Sequence, residues 1–461
     1  MMVEQEQQKQ QNENKMGIMP VNKLLITMSL PMMISMLVQA LYNIVDSIFV
    51  SMVSEDALTA VSLAFPIQIL MIAIGTGTGV GINAILSKSL GENDKEKVSK
   101  VAENGIFLAV LGYVLFLLIG LFVTGPFYRS QTDVTSVLSY GQQYLTICCA
   151  CSFGIFMQLT FEKLLQATGK TMYTMATQGT GAIINLILDP ILIFGYFGFP
   201  KLGVAGAALA TVIGQTIAGI LAIYMNQKVN SEVKISYRGF KPDKNIIGQI
   251  YKVGVPSIFM QAIGSVMTYG MNQILLSFTI TATTVFGVYF KVQSFIFMPI
   301  FGLNNGMIPI VAYNYGAGKR GRVIKAIKLS MLYSMSIMFV GFLVFQIFPK
   351  RLLMMFNASN AMLEIGIPAF RIISIGFLIA GFCIIAGTAF QALGNAMYSL
   401  IVSVARQLVV LLPAAYLLSL SGVLSNVWWS FPIAEIMALT LTVIFLVRVY
   451  HKVIREIPDN A

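Results

Sequence analysis

The amino-acid sequence predicts an all-α integral membrane protein with twelve transmembrane helices in two six-helix lobes, related by a parallel internal repeat. Hydrophobic residues make up 57% of the 461 residues and charged residues only 11%, whereas about a quarter of a soluble domain is charged. Apolar runs of about 20 residues, long enough to cross the hydrocarbon core of a bilayer, recur along the chain. The second half of the sequence also repeats the first at a constant spacing.

Polar breaks between the apolar runs give the bounds of the predicted helices. The predicted spans are 24–50, 58–86, 101–124, 136–160, 171–196, 203–225, 247–277, 284–312, 324–348, 365–389, 396–418 and 424–449. Residues 1–22 are polar and lack an apolar stretch, which predicts a disordered tail and not a cleaved signal peptide. The predicted organisation is a cytoplasmic tail (1–22), an N-terminal lobe (23–225), a cytoplasmic linker (226–246), a C-terminal lobe (247–450) and a second cytoplasmic tail (451–461).

An offset of 225 residues aligns the two halves of the chain. QATGKTMY (166–173) matches QALGNAMY (391–398), and Pro31 matches Pro256. Each half contains six predicted helices, an even number, so both halves enter the membrane in the same orientation. Two parallel lobes that rock against each other are the architecture of one class of secondary transporters. A duplicated helical bundle without moving parts is the alternative.

The basic residues are distributed unevenly between the two sides of the predicted membrane. If the N-terminus is cytoplasmic, 22 of the 30 Lys and Arg residues lie on that side and four lie on the opposite side. The positive-inside bias then predicts a multi-pass protein of the plasma membrane, the inner membrane of the cell, with both termini in the cytoplasm. This asymmetry accounts for the net charge of +11 without a nucleic-acid partner.

The residue types argue against several classes of function. The nearest match to a phosphate-binding loop, at residues 169–171, has Leu164 in place of the first glycine, so no nucleotide site is expected. His451 is the single histidine, and the four cysteines lie in apolar runs, so histidine-based catalysis and cysteine metal sites are not expected. We therefore predict no enzyme activity and no cofactor, and uphill transport would require an ion gradient.

Charged groups at membrane depth are costly, which makes each one a candidate for function. Asp46 on the first predicted helix and Asp189 on the fifth lie at similar depth, close to Thr211 on the sixth. Tyr42 is one helical turn from Asp46, and Asn185 is one turn from Asp189. Oxygen ligands at Asp46, Asn185, Asp189 and Thr211 suit Na⁺, and the paired carboxyl groups also suit a proton. A hydrogen-bonded cluster that only holds the helices together is the alternative.

The second half contains one deeply placed acid, Glu435, which we expect to form a charge cluster with Lys291 or Arg406. An ion pair of purely structural importance and a role in coupling are both open. Flexible methionines suit a surface that repacks around varied ligands. The predicted substrate contacts are Gln39, Met260, Met267, Met271, Phe295 and Met298, although packing or lipid contact is the alternative for each.

Several motifs occur in order along the chain: SLPMMISMLVQALYNIVDSIFVS (29–51), LLQATGKTMY (164–173), INLILDPILIFG (184–195) and GMIPIVAYNYGAGK (306–319). In these motifs, the chain resembles the multidrug and toxic compound extrusion (MATE) family, and in particular the MepA-like branch of that family. The resemblance implies two six-helix lobes and a cation site at Asp46, Asn185, Asp189 and Thr211. Some members use acids on the seventh and tenth helices, but residues 256–273 of the seventh contain none.

The resemblance implies a secondary active multidrug efflux antiporter. It would export lipophilic, mostly cationic small molecules across the lipid bilayer in exchange for inward H⁺ or Na⁺, by alternating access. The rival prediction is a flippase for a lipid-linked anionic substrate, in which Lys291, Arg371 and Arg406 would bind phosphate.

Overall fold

The computed structural model describes residues 14–236 and 238–458, and within these ranges every regular element is helical. The α-helices are α1 (Lys15–Ile18), α2 (Val21–Ser51), α3 (Glu55–Gly91), α4 (Lys95–Leu118), α5 (Thr124–Gln131), α6 (Thr135–Ala150), α7 (Phe153–Ala167), α8 (Thr171–Phe194), α9 (Val204–Val229), α10 (Lys244–Leu276), α11 (Ile280–Gly316), α12 (Arg320–Ile347), α13 (Pro349–Met354), α14 (Asn360–Ser374), α15 (Phe377–Ala392), α16 (Ala396–Val404), α17 (Leu412–Ser419), α18 (Leu424–Val427) and α19 (Ser430–Val449). Short π-helical segments lie at Ile119–Val123, Ala405–Leu411 and Tyr450–Ile454. The predicted all-α class is confirmed.

The helices account for the predicted number of membrane spans. By length and composition, ten helices of the described chain can cross a membrane, and the number rises to twelve if two bent pairs each form one span. The bent pairs are α6 with α7, at 44°, and α14 with α15, at 49°. The predicted twelve-helix organisation agrees with the upper number.

The internal repeat is visible in the backbone. Helices α3 and α11 both start and end 225 residues apart, and the two bent pairs break within one residue of matching positions. Gly169 and Gly394, also 225 residues apart, both have a positive φ, of 82° and 79°. A turn that needs φ above zero favours glycine, which explains why this residue is present in both halves.

The described chain divides into two compact units whose boundaries lie inside helices. One unit contains Met1–Met33 and Phe259–Ala461, and the other contains Ile34–Ile258. Helix α2 is therefore divided after Met33 and α10 after Ile258, a few residues beyond Pro31 and Pro256. These boundaries differ from the lobes 23–225 and 247–450 that the repeat predicts, because each compact unit includes the first part of a helix from the other half of the repeat.

Glycines allow these helix segments to pack closely within their units. In the unit Ile34–Ile258, a Cβ atom at Gly77 would lie 2.8 Å from the backbone nitrogen of Ile258, and one at Gly81 would overlap the Ile250 carbonyl. In the other unit, a Cβ atom at Gly306 would lie 2.8 Å from the Cα atom of Ser29. Small residues of this kind let helix backbones approach each other in membranes.

The predicted tail over residues 1–22 requires a correction where the structure describes it. Residues 15–18 form α1, in which the side chain of Met16 is fully buried. The Met16 carbonyl accepts hydrogen bonds from Asn314 Nδ2 at 3.0 Å and from Arg322 at 2.9 Å. These contacts satisfy backbone groups of a polar segment, so it is ordered without an apolar run of its own. The rest of this predicted tail, residues 1–13, lies outside the described residues.

The second predicted tail is also partly packed. Ile454 and Ile457 are buried, and the Arg455 carbonyl accepts a hydrogen bond from Arg320 at 3.3 Å. Residues 459–461 lie outside the described residues. The predicted linker 226–246 is shorter than expected, because α9 extends to Val229 and α10 begins at Lys244; its residue 237 also lies outside the described chain.

Substitution of Gly214 by Ala tests the close packing of α8 and α9. A Cβ atom at this position would lie 2.8 Å from the Gly181 carbonyl oxygen and 3.3 Å from Asn185 Cβ. We expect the free energy of unfolding to fall by about 2 kcal/mol, because a rigid backbone cannot yield to an added methyl group. The measurement is thermal unfolding of the purified protein in detergent.

The control is Gly179→Ala on α8, where an added Cβ atom meets no other atom within 4 Å. This variant should melt at or above the wild-type temperature, because alanine is favoured over glycine in a helix. Equal melting temperatures for Gly214→Ala and wild type would contradict the packing argument.

Candidate functional site

Three helices of the unit Ile34–Ile258 position the polar cluster that the sequence predicts. Tyr42 and Asp46 lie one turn apart on α2, Asn185 and Asp189 lie one turn apart on α8, and Thr211 lies on α9. The close approach of α8 to α9 at their glycines places Thr211 beside Asn185. The backbone N–H groups of Leu202 and Gly203 donate to the Leu192 and Ile193 carbonyls and fix the loop between these helices.

Asn185 connects Asp189 to Thr211 through hydrogen bonds. With its amide nitrogen facing the carboxyl group, Nδ2 donates to Asp189 Oδ2 at 3.2 Å. Its Oδ1 then accepts from the hydroxyl of Thr211 at 3.3 Å and from the Thr211 backbone N–H at 3.1 Å. This orientation gives each amide atom of Asn185 a partner of the opposite kind. The predicted neighbourhood of these three residues is therefore present in the structure.

The carboxyl groups of Asp46 and Asp189 lie within hydrogen-bonding reach of each other. Asp189 is fully buried, and Asp46 Oδ1 is a buried oxygen atom without a hydrogen-bond partner. The Tyr42 hydroxyl lies near both carboxyl groups. Asp46 is half-buried. Two neighbouring carboxyl groups in such surroundings repel each other when both are ionised, and a shared proton or a bound cation removes that repulsion.

The oxygen atoms of this cluster also form a suitable donor set for a small hard cation. The carboxyl groups of Asp46 and Asp189, the amide of Asn185 and the hydroxyl of Thr211 supply oxygen ligands of the kind that Na⁺ binds. The unpartnered Oδ1 of Asp46 is an acceptor that such an ion would satisfy. The cluster therefore suits both of the predicted ions.

The other compact unit contains a second charged pair. Arg406 donates to Glu435 Oε1 at 3.0 Å, while Glu435 Oε2 is buried without a hydrogen-bond partner. Of the two predicted partners of Glu435, the structure selects Arg406, since the Lys291 side chain is exposed. Arg406 lies in the π-helical segment Ala405–Leu411, and Glu435 packs beside Gly376 at the break between α14 and α15.

The predicted substrate-contact residues fall into two groups. Gln39 and Phe295 are exposed, and Met260 and Met298 are half-buried. Met271 is fully buried and Met267 is 8% exposed, so neither side chain is accessible to a ligand in this structure. At these two positions methionine packs inside its own compact unit. The substrate role of both residues stays a prediction.

Sequence reasoning missed one buried acid, Glu162. The predicted fourth helix ends at residue 160, whereas α7 extends to Ala167 and brings both Glu162 and Lys163 inside the unit. The carboxylate of Glu162 accepts hydrogen bonds from Gln158, Thr177 and Gln178. The signal in the sequence is the positive-φ glycine at 169, which marks the end of the helix more accurately than the first charged residue does.

A family model described as MatE matches residues 31–191 and 256–417, one segment in each half of the repeat. The chain belongs to the MatE family. Among its relatives, the multidrug export protein MepA of Staphylococcus aureus is 27% identical over 438 residues, which cover 93% of this chain and 94% of that protein. The protein of the same name from Staphylococcus haemolyticus is 28% identical over 419 residues, 90% of each chain.

Solved MATE structures share the fold of this MatE chain. A MATE protein in complex with MaL6 has a TM-score of 0.90 at 24% identity and covers 96% of this chain and 99% of its own. The outward-facing conformation of a multidrug resistance MATE family transporter has a TM-score of 0.89 at the same identity and coverage. Because the MatE family and the MepA relatives are transporters, this chain is a transporter and not an enzyme. The resemblance found in the sequence is confirmed.

Substitution of Arg406 by Met tests the charged pair. The variant leaves the Glu435 charge buried without its partner, and we expect a loss of about 3 kcal/mol in unfolding free energy. The double variant Arg406→Met with Glu435→Gln should recover most of this loss, since it buries no charge. Thermal unfolding in detergent measures both, with Lys291→Met as the control at an exposed site. A wild-type melting temperature for the single variant would contradict this role of the ion pair.

Proposed function

We propose that this MatE transporter is a secondary active multidrug efflux antiporter, which exports lipophilic, mostly cationic compounds in exchange for inward H⁺ or Na⁺. The observation that supports this proposal is the pair formed by the half-buried Asp46 and the fully buried Asp189, which is hydrogen-bonded through Asn185 to Thr211. A carboxyl pair with a buried, unpartnered oxygen atom binds a cation or a proton more readily than a fully hydrogen-bonded pair does. The multidrug names of the MepA relatives support the substrate class.

In the proposed mechanism, an ion from outside binds at the carboxyl pair and neutralises part of its charge. The repulsion between Asp46 and Asp189 then falls, and α2 and α8 repack around the site. This repacking weakens substrate binding and favours release to the outside, after which the ion leaves to the cytoplasm. Coupling requires that the ion bind the two conformations with different affinity.

The proposed location of the protein in the cell rests on the distribution of its charged residues. The excess of Lys and Arg in the connections on one side supports a multi-pass protein of the plasma membrane with both termini in the cytoplasm. In this orientation Asp46 and Asp189 lie nearer the outer surface, where the incoming ion first meets the protein.

Asp46→Asn and Asp189→Asn test the proposal. Each variant keeps the side-chain volume but removes one carboxylate, so we expect dye efflux to fall by about tenfold or more because the ion no longer distinguishes the two conformations. The measurement is efflux of a cationic fluorescent dye from proteoliposomes under a Na⁺ gradient or a pH gradient, imposed separately. Asp133→Asn, an exposed acid outside the helices, is the matched control.

The two gradients identify the coupling ion, because only the correct one drives dye movement in the wild type. Normal efflux by both site variants would overturn the role of the carboxyl pair. Wild-type transport driven by neither gradient, together with competition by anionic lipids, would favour the lipid flippase instead.

A further inference from the structure

Glu162 forms a second carboxylate centre in the unit Ile34–Ile258, apart from the Asp46 and Asp189 pair. Its side chain on α7 is 1% exposed. Oε1 accepts hydrogen bonds from Gln158 Nε2 at 3.0 Å and Thr177 Oγ1 at 2.9 Å, and Oε2 accepts from Gln178 Nε2 at 2.8 Å. Three donor residues from two adjacent helices thus build a specific environment for this carboxylate.

The donors around Glu162 suit a proton better than a metal ion. Two of its three contacts come from amide nitrogen atoms, which cannot coordinate Na⁺. The neighbouring charge is that of Lys163, which is also buried and donates to Gln166 Oε1 at 2.9 Å. The Lys163 ammonium group stabilises the Glu162 carboxylate after a proton has left it.

One face of α8 connects Glu162 to the candidate ion site. Thr174, Gln178, Asn185 and Asp189 follow one another at multiples of a helical turn, so they lie along the same side of the helix. Gln178, which binds Glu162, precedes Asp189 by a rise of about 16 Å at ~1.5 Å per residue. Gln178 Oε1 is buried and has no hydrogen-bond partner, and buried polar atoms of this kind are commonly satisfied by water.

Glu162 lies near the end of α7 that the basic residues predict to be cytoplasmic. Ala167 ends the helix five residues later, about 8 Å further along its axis. Thr174 Oγ1 donates to the Glu162 backbone carbonyl at 3.4 Å, which holds the end of α7 against the start of α8. The acid therefore lies between the candidate ion site and the predicted cytoplasmic surface, within the same compact unit.

We propose that Glu162 is the proton acceptor through which the coupling proton passes from the Asp46 and Asp189 pair to the cytoplasm. The inference rests on the proposed antiport function and specifies H⁺ as the ion. An O–H bond breaks at the carboxyl pair, water admitted when α2 and α8 repack carries the proton, and an O–H bond forms on Glu162. The proton then leaves to cytoplasmic water, and the Glu162 carboxylate regains its three donors. No oxidation or reduction takes place.

The substitution Glu162→Gln tests this relay. In proteoliposomes we expect dye movement driven by a pH gradient to fall by about tenfold, because the proton no longer reaches the cytoplasm at the required rate. Exchange of dye for dye at equal pH on both sides needs no proton release, so it should stay within about twofold of the wild-type rate. Glu232→Gln is the matched control, since this acid of the same unit forms a partly exposed ion pair with Lys170.

A purely structural Glu162 would give a different result, since both the driven movement and the exchange would fall together. That outcome overturns the proposal, and so does a wild-type rate of driven movement in Glu162→Gln. If Glu162→Gln does not fold, Thr177→Val, which removes one donor, provides the same comparison with a smaller loss of driven movement. Transport driven by Na⁺ alone overturns the relay but leaves the antiport function in place, whereas transport driven by neither gradient overturns both.

Discussion

The cost of placing a carboxylate among apolar helices is the constraint on which the arrangement of polar groups depends. Four buried or half-buried acids meet this cost in different ways. Glu162 has three hydrogen-bond donors, Glu435 has a cationic partner in Arg406, and Asp189 has the amide of Asn185. Among the described residues, Asp46 and Glu435 each retain one buried oxygen atom without a hydrogen-bond partner. The cluster on α2, α8 and α9 and the charged pair of the other unit are therefore both incompletely satisfied.

Glycine makes this polar chemistry compatible with tight helix packing. Gly181 and Gly214 bring the backbones of α8 and α9 together at the level of Asn185. Larger residues there would separate Thr211 from Asn185 and remove the link between the two helices. The residues with the smallest side chains thus determine the distances between the polar side chains, because the hydrogen bonds of the site form only across a close helix contact.

Much of the fold follows from apolar runs and from the repeat, because a helix that crosses a bilayer needs a stretch of fixed length. The neighbourhood of Asn185, Asp189 and Thr211 follows from helical rise and periodicity alone.

Glu162 was missed because a charged residue near the end of an apolar run has the same local pattern as the start of a loop. The packing of residues 14–19 could not be predicted either, since the partners of Met16 lie 298 and 306 positions later in the chain. The burial of Met267 and Met271 depends on which face of α10 meets its neighbours, which a uniformly apolar helix does not reveal.

The position of the unit boundaries inside α2 and α10 has a consequence for biosynthesis. Domains commonly fold as the chain emerges, from the N-terminal end first. Here the unit Ile34–Ile258 requires the first part of α10, so its packing is completed only after the whole first half of the repeat has been synthesised. The described residues up to Met33 belong with residues from Phe259 onward, so the packing of their unit is completed only after the second half is inserted. A ribosome that stalls near residue 230 would therefore leave both units incomplete.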